Sequence, residues 1–235
     1  MGERLGDLFC SSPEFISELE VWHGFGTREL SLPVLEKEAS RRGMCSVFLD
    51  QRHSDSTHIL TSLPSGGPLA GDAMMSDRRG ILLVIRTADC LPVLLSDRKR
   101  GVVAAVHCGW RGTAKEILRN VVRSLQKEFG SLPGDLTAAL GPCIAQACYE
   151  VGEDVRSAFA RRGYPADVLR PLRDTPGKYL FDLRAANRFQ LSRAGLKEVN
   201  IFSFRCCTHC EKKLYSYRRE AQKAGRLLNF IGRRP

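Results

Sequence analysis

Short runs of apolar residues, bounded by Gly, Pro, Asp or Ser, recur along the chain. Runs of this kind between turn residues predict buried β-strands. They lie at 47–49, 81–85, 93–95, 102–106, 136–140 and 199–202. After Gly112 the apolar residues instead recur three and four apart, which predicts a helix that begins in a Thr113/Glu116 capping box and ends at Gly130. The same periodicity predicts helices at about 152–162, 183–194 and 217–227.

The predicted strands and helices do not alternate regularly, so the pattern favours an α/β fold with mixed sheets over a doubly wound parallel sheet. The one linker-like stretch, Ser62–Pro68, is too short to separate domains and is expected to be a surface loop. We therefore expect residues 1–235 to form a single domain. The glycine-rich signatures of dinucleotide, P-loop and serine-hydrolase sites do not occur in the sequence.

At 43% apolar and 26% charged residues, the 235-residue chain has the composition of a globular protein. No apolar run reaches the roughly 18 residues of a membrane-spanning helix, and the first residues lack a secretory apolar core. We expect a cytoplasmic protein that does not bind membranes. Its nine cysteines should then be mostly reduced, so a conspicuous one is expected to be a metal ligand or a nucleophile.

Three segments carry groups that suit metal chemistry: Gln51–His53, Thr87–Cys90 and His107–Gly112. The second and third each place a Cys or His just beyond a predicted strand, where loops hold reactive groups against a rigid support. If those strands are neighbours, Cys90 and His107 emerge at the same sheet edge. Two imidazoles and a thiolate form a ligand set that suits Zn²⁺ with an open fourth position. The alternative is that each Cys or His, taken alone, only packs in the hydrophobic core.

Two further residues are candidates for proton transfer and anion binding. Asp72 lies among small and apolar residues, where desolvation would raise its pKa and suit general acid or base work. A turn or capping aspartate is the alternative. Arg111 lies in a Gly-Trp-Arg-Gly turn between a strand and a helix. Such a junction can bind a phosphate or a developing oxyanion, unless the glycines serve the turn alone.

The segment Cys206–Cys210 places Cys207 and Cys210 in the C-x-x-C spacing of zinc sites. A structural zinc site needs four ligands, normally from two such pairs, and Cys143 and Cys148 lack that spacing. We therefore expect a cluster of reduced thiols here, with a second metal site as the alternative.

Several motifs in a fixed order resemble one known family. They are Thr87–Leu95, His107–Gly112, Leu140–Ile144 with Cys148–Gly152, Cys207–Thr208 and Ser216–Arg219. In this order they resemble the laccase-domain family, which was named for multicopper polyphenol oxidase activity and is now described as purine nucleoside phosphorylases. The resemblance covers nearly the whole chain and implies an α/β/β/α sandwich with one zinc ion per chain.

The resemblance also assigns residues. The family's metal ligands fall on His53, Cys90 and His107, and its acidic residue falls on Asp72. A Gly-Phe-Gly-Thr-Arg segment adds Arg28 as a candidate for binding the substrate or phosphate.

The chain departs from the family pattern at three places. Glu29–Pro33 replaces the Gly-Gly-Val-Ser usually found after Arg28, and Arg52 replaces an apolar residue. Cys108 follows His107 where a small Ala is usual.

The implied function is that of a zinc-dependent purine nucleoside phosphorylase. It would cleave adenosine, inosine and methylthioadenosine with phosphate to give the free base and ribose 1-phosphate, and it would deaminate adenosine in the same site. Arg111 would orient the phosphate and Asp72 would shuttle the proton. The partners would be a purine nucleoside and inorganic phosphate, and we expect a monomer.

Three alternatives differ in chemistry. A copper-dependent polyphenol oxidase would need many more histidines than the five in this chain, since it combines a type 1 centre with a trinuclear cluster. A thiol hydrolase would use Cys90 as the nucleophile and His107 as the base. A nucleic-acid-binding module would show interleaved basic and aromatic residues or a known motif, and we expect no nucleic-acid partner.

The positive charge of the chain lies mostly at its end. The formal net charge is +10, and residues 186–235 hold 12 Lys and Arg against 3 Glu, a local excess of +9. This region contains Ser216–Arg219, so the charge can favour an anionic co-substrate, with Arg218 as the candidate for phosphate binding.

Overall fold

The computed structural model describes residues 8–11, 20–160 and 162–235. Residues 1–7, on which the expectation of no leader peptide mainly depends, lie outside this part. The long strands are β2 Val21–Gly26, β3 Cys45–Asp50, β7 Ile81–Thr87, β8 Leu91–Asp97, β9 Val102–Cys108, β10 Leu136–Leu140 and β15 Leu227–Arg233. The short strands are β1 Phe9–Cys10, β4 Thr57–Ile59, β5 Leu69–Ala70, β6 Ala73–Ser76, β11 Glu150–Val151, β12 Leu169–Pro171, β13 Tyr179–Phe181 and β14 Ile201–Ser203.

The helices are fewer and border the sheets. They are α1 Leu32–Arg41, α2 Trp110–Ala114, α3 Ile117–Phe129, α4 Glu153–Phe159, α5 Leu183–Arg193 and α6 Tyr217–Glu220. No helix in the described residues is long and apolar enough to cross a bilayer.

Two six-stranded mixed sheets form the centre of the molecule. Sheet A has the order β1-β2-β15-β7-β3-β5, and sheet B has the order β14-β10-β8-β9-β6-β4. A small sheet, β11-β13-β12, accompanies them. Parallel and antiparallel pairs occur in both large sheets, as in the parallel β3–β7 pair and the antiparallel β15–β7 pair of sheet A. The prediction of mixed sheets is confirmed.

The apolar residues divide into three layers of core. Between the sheets, Phe25, Leu83 and Ile231 of sheet A face Met74 and Ala105 of sheet B. The outer face of sheet B packs against α2, α3 and α5, and the outer face of sheet A packs against α1. The molecule is therefore an α/β/β/α sandwich, as the resemblance implied.

Two local predictions are wrong. Thr113 and Glu116 do not form a capping box: Thr113 Oγ1 donates to the Gly109 carbonyl, and Glu116 precedes α3 at φ 61° without a side-chain cap. The helix predicted at 217–227 ends after one turn at Glu220, and the chain enters strand β15 at Leu227. The remaining predicted helices and strands are present, with shifted ends.

One crossing between the sheets positions the candidate ligands. Strand β7 of sheet A ends at Thr87, and β8 of sheet B begins at Leu91, so residues 88–90 bridge the two sheets at one end of the sandwich. Strands β8 and β9 are antiparallel neighbours with Pro92 opposite His107. Cys90 and His107 consequently emerge at the same edge of sheet B, as predicted.

Candidate metal centre and pocket

Three side chains converge at this edge. The ligand atoms of His53, Cys90 and His107 all lie within 4.8 Å of one another. His107 is buried, Cys90 is half-buried and His53 is exposed, so the cluster opens to solvent on one side. Three ligands with an accessible fourth side form the arrangement of a catalytic rather than a structural metal site.

Asp72 holds two of these ligands in place. Its carboxylate accepts hydrogen bonds from the backbone N–H groups of Arg52, His53 and Ser54 at 3.2, 3.0 and 2.6 Å. It also accepts from Ser54 Oγ at 2.6 Å and from His107 Nδ1 at 2.7 Å. The bond at Nδ1 fixes the proton there and leaves Nε2 of His107 free for a metal.

The predicted rise in the pKa of Asp72 is wrong. The carboxylate is fully buried, and burial alone would raise its pKa, but the hydrogen bonds from His107 and Ser54 outweigh this and hold the pKa well below its usual range. Asp72 therefore stays ionised. Its acceptor positions are occupied by the 52–54 loop and His107, and it is not among the residues that line the adjoining pocket.

The two glycines of the Gly-Trp-Arg-Gly turn permit close approach rather than an unusual turn. Gly109 has φ −77°, which any residue adopts, but a Cβ there would lie 2.6 Å from His53 Nδ1 and 3.3 Å from Cys90 Sγ. A Cβ at Gly112 would lie 2.8 Å from the Ser54 carbonyl oxygen. Both positions need glycine because the His53 loop packs directly on this turn.

Burial and charge act in opposite directions on the ligands. Burial opposes ionisation of Cys90, but the neighbouring rings of His107 and His53 lower the pKa of its thiol to about 6. Burial also opposes the charged form of His107, whereas the Cys90 thiolate and the Asp72 carboxylate raise its pKa to about 9. Cys90 is therefore set to act as a thiolate, the form that binds metals.

Cys108 does not disturb this site. It is fully buried in the core between sheet B and the helices, and burial raises the pKa of its thiol well above the ordinary value. Since successive residues of a strand point to opposite faces, Cys108 points away from the side of β9 that carries His107.

A pocket of about 970 Å³ opens onto the three ligands. Its walls include the rings of Trp110, Tyr149 and Tyr217 and the guanidinium groups of Arg111 and Arg218. Its volume lies at the upper end of the range of about 300–1,000 Å³ common for small-molecule sites, and a few polar groups among aromatic walls are typical of them.

Two predicted anion ligands lie in this pocket. The Arg111 guanidinium stacks on the Trp110 ring at 4.4 Å, and no carboxylate within the described ranges pairs with it. Arg218 lies over the Tyr149 ring at 5.6 Å and donates to the Glu150 carbonyl at 2.7 Å. Both cations keep donors available to a phosphate.

Arg28 is placed elsewhere. Its guanidinium pairs with Glu220, donates to the Leu214 carbonyl at 3.1 Å and lies over the Tyr215 ring at 4.5 Å. It is not among the residues that line the pocket. The structure thus gives Arg28 a role in fixing the 214–220 segment instead of the predicted phosphate contact.

Asp89 lines the pocket beside Cys90, although the sequence did not single it out as a site residue. Asp89 has φ 81°, and its carboxylate accepts from Thr208 Oγ1 and from the backbone N–H of Arg218, each at 2.6 Å. It thereby ties the Cys90 turn to the segment that carries Arg218. Its position next to Cys90 in the Thr-Ala-Asp-Cys motif is the sequence feature that could have identified it as a site residue.

The three donors fit a zinc ion. With Zn–N of about 2.0 Å and Zn–S of about 2.3 Å, the ligand atoms of a tetrahedral site with one thiolate and two imidazoles lie about 3.3–3.6 Å apart, which the separations within 4.8 Å allow with small adjustments. A thiolate with two imidazoles is a borderline-soft set that suits zinc, and the space left by Gly109 keeps the donors close together.

The donors do not fit a multicopper centre. In the described part of the chain, groups of three or more metal-binding side chains occur twice, at His53, Cys90 and His107 and at Cys148, His209 and Cys210. A type 1 centre and a trinuclear copper cluster together require many more imidazoles.

Comparisons with known proteins agree with the fold and the motifs. Residues 34–234 match the model of the family described as multi-copper polyphenol oxidoreductase laccase. A protein of Bacteroides thetaiotaomicron named purine nucleoside phosphorylase is 39% identical over 161 residues, which cover 68% of this chain and 60% of that protein. A protein of an unknown prokaryotic organism named adenosine deaminase RL5 is 37% identical over 164 residues, 69% of this chain and 62% of that protein.

A solved structure extends the likeness over the whole fold. The crystal structure of the Bacillus licheniformis hypothetical protein YfiH superposes with a TM-score of 0.88 and 26% sequence identity, over 97% of each chain. The sequence matches to the two named enzymes span less than two thirds of their lengths. Together with the family match over 34–234, the order of the motifs and the sandwich, these likenesses show that the chain belongs to the laccase-domain family, whose named members include purine nucleoside phosphorylases and an adenosine deaminase.

Proposed function

We propose that this chain is a zinc-dependent purine nucleoside phosphorylase that acts on adenosine, inosine and methylthioadenosine. The products are the free base and ribose 1-phosphate, and adenosine is also deaminated in the same pocket. The supporting observation is that a single pocket brings together three candidate metal ligands, four arginines, with Arg111 and Arg218 among them, and three aromatic rings.

The arginines supply the anion site. In phosphorolysis a phosphate oxygen bonds to C1′ of the ribose, the bond from C1′ to the base breaks, and its electron pair leaves with the base, which takes up a proton. Arg111 and Arg218 line the same pocket, and each guanidinium group lies over an aromatic ring. Their N–H donors are therefore held in fixed directions. Fixed, planar donors can hold a phosphate dianion in line with C1′.

The aromatic walls supply the nucleoside site. Tyr149 is half-buried, and burial raises the pKa of its hydroxyl well above the ordinary value, so the phenol stays neutral. The ring of Tyr217, which lines the pocket and is 51% exposed, offers a stacking surface for a purine, a contact that tolerates different bases. This tolerance supports activity on more than one nucleoside.

The metal ligands are His53, Cys90 and His107. When bound there, zinc supplies Lewis acidity, which can polarise a water or orient a phosphate oxygen. Asp72 acts on this centre as a positioning residue instead of the predicted proton shuttle. It keeps His107 in one tautomer and holds the His53 loop through three backbone N–H groups.

The phosphate requirement tests the proposal. Purified protein is incubated with inosine in buffers with and without inorganic phosphate, and hypoxanthine and ribose 1-phosphate are measured. We expect base release only with phosphate, in equal amounts with ribose 1-phosphate. Equal base release in phosphate-free buffer would show a hydrolase and overturn the phosphorylase assignment.

The same geometry favours a second candidate, a thiol hydrolase. Asp72, His107 and Cys90 form a hydrogen-bonded series in which the imidazole lies between a carboxylate and a thiolate, as in a catalytic triad. His53→Ala separates the two functions, because it removes a metal ligand and leaves this series intact. Lost phosphorolysis in that variant supports the metal enzyme, and full retention of activity after metal removal supports the thiol hydrolase.

A further inference from the structure

A second cluster of metal-binding groups lies outside the pocket. The ligand atoms of Cys148, His209 and Cys210 all lie within 4.8 Å of one another, and the sulfurs of Cys148 and Cys210 are 3.5 Å apart. These residues are half-buried or exposed, so an ion can reach them. The C-x-x-C pair of Cys207 and Cys210 has no second pair of cysteines near it in the sequence. In the folded chain Cys148, 62 positions before Cys210, takes the place of a further ligand.

Cys207 lies beside this cluster, although it is not one of the three residues whose ligand atoms are all mutually close. Its sulfur interacts with the side chains of Cys148 and Cys210 and accepts the backbone N–H of Ala145 at 3.3 Å. Backbone hydrogen bonds lower the pKa of the Cys207 thiol and so favour the thiolate, the form that binds metals.

The two segments are held in register by their backbones. Cys143 and Cys207 form a parallel β-bridge, and the N–H of Thr208 donates to the Cys143 carbonyl at 3.1 Å. The convergence of the thiols thus results from fixed backbone pairing and not from a chance contact of long side chains.

We propose that Cys148, Cys207, His209 and Cys210 bind a structural zinc ion, separate from the one at His53, Cys90 and His107. Cys148, His209 and Cys210 are already close together, and a side-chain rotation that brings Cys207 and the His209 ring together would give a closed Cys₃His set of three thiolates and one imidazole. The separation of 3.5 Å between two of the sulfurs is close to the edge of about 3.7 Å expected around a tetrahedral zinc. Cys148 and Cys210 are both free cysteines, and the 3.5 Å between their sulfurs is far longer than a disulfide bond of about 2.05 Å.

The proposed ion joins two walls of the pocket. Cys148 precedes Tyr149 and Glu150, which line the pocket, and Cys207 precedes Thr208, which bonds Asp89. Clamping these segments together fixes the anion site without adding a group to the pocket itself.

Metal content of the full chain tests the proposal. Protein purified without chelator is measured by elemental analysis, alongside variants that each remove one ligand. We expect two zinc ions per chain in the natural sequence and one in Cys148→Ser, Cys210→Ser and His53→Ala. Cys45→Ser, which removes an exposed cysteine of β3 outside both clusters, should keep two. One zinc in the natural chain, or two in both serine variants of the cluster, would overturn the proposal.

Cobalt substitution and thiol labelling make the result specific. Cobalt bound at a Cys₃ set gives strong thiolate charge-transfer absorption, which Cys210→Ser should weaken and His53→Ala should leave largely intact.

Thiol labelling tests for a disulfide. All nine cysteines should be alkylated in denaturant with chelator and no reductant. Protection of Cys148 and Cys210 from alkylation would show a disulfide and contradict the metal site.

Discussion

Asp72 shows how the surroundings of one residue decide its chemistry. An aspartate among apolar residues suggests a raised pKa, but here five hydrogen bonds from the 52–54 loop and His107 stabilise the charged form. These hydrogen bonds lower the pKa of Asp72 by more than burial raises it, because every donor is directed at the carboxylate. These contacts favour a role for Asp72 in positioning two candidate metal ligands over the predicted role in proton transfer.

Asp72→Asn tests this positioning role. An amide cannot match all five hydrogen bonds, so we expect zinc affinity at the pocket site to fall by roughly 10- to 100-fold, with activity partly restored by excess zinc. Affinity is measured by competition with a chelator in a Cys210→Ser background, so that the second cluster does not contribute. Asp55→Asn is the matched control, since Asp55 bonds Asn120 and does not contact His107. A lost acidic limb of the pH–rate profile with unchanged zinc affinity would instead indicate proton transfer by Asp72.

At the scale of elements, the hairpin β8–β9 and the crossing before it build the site. The antiparallel register brings Cys90 and His107 to one edge, and this follows from the sequence because both residues flank strong apolar runs. The third ligand, His53, comes from a loop that sheet pairing alone does not position. The Gln51 side chain holds that loop by donating to the Arg86 carbonyl and accepting from the Arg86 N–H, each at 2.8 Å.

Strand β15 is an element that the sequence pattern did not predict. The helix predicted at 217–227 ends where this strand begins, and Leu227–Arg233 lies between β2 and β7 in the middle of sheet A. Phe230 and Ile231 are both buried because one faces α1 and the other faces sheet B. A strand covered on both faces loses the alternation that would have identified it.

Phe230→Ala tests the contribution of β15 to stability. The ring is fully buried and packs against Trp22 at 4.6 Å and Phe9 at 5.3 Å between centroids. We expect the free energy of unfolding to fall by about 3–5 kcal/mol in urea denaturation. Val199→Ala, at a residue 75% exposed, should change it by less than about 0.5 kcal/mol. Similar small effects in both variants would contradict a central place for β15.

For the molecule as a unit, the sequence predicted the mixed-sheet class and, through its motifs, the sandwich. The three proposed metal ligands converge in the structure. The sequence could not predict which distant segments meet. The contact of Cys148 with Cys210 and the bond of Asp89 to the Arg218 segment join residues 62 and 129 positions apart. Such contacts depend on the packing of loops at one end of the sandwich, and local periodicity carries no information about them.

The structure shows where the basic residues near the end of the chain lie. Arg219 donates to the carbonyls of Thr208, His209 and Leu214, and so organises the loop beside the pocket. Arg218 and Arg226 line the pocket itself. The terminal excess of charge is therefore divided between the local fold and the wall of the pocket.

A crystal structure of the zinc-loaded protein with phosphate, with anomalous diffraction measured on both sides of the zinc absorption edge, would test the proposed site directly. We expect an anomalous peak bonded to His53, Cys90 and His107 and a phosphate contacting Arg111 or Arg218 in the same pocket. A pocket without a zinc peak at these three residues, or phosphate bound only away from both arginines, would overturn the proposed site.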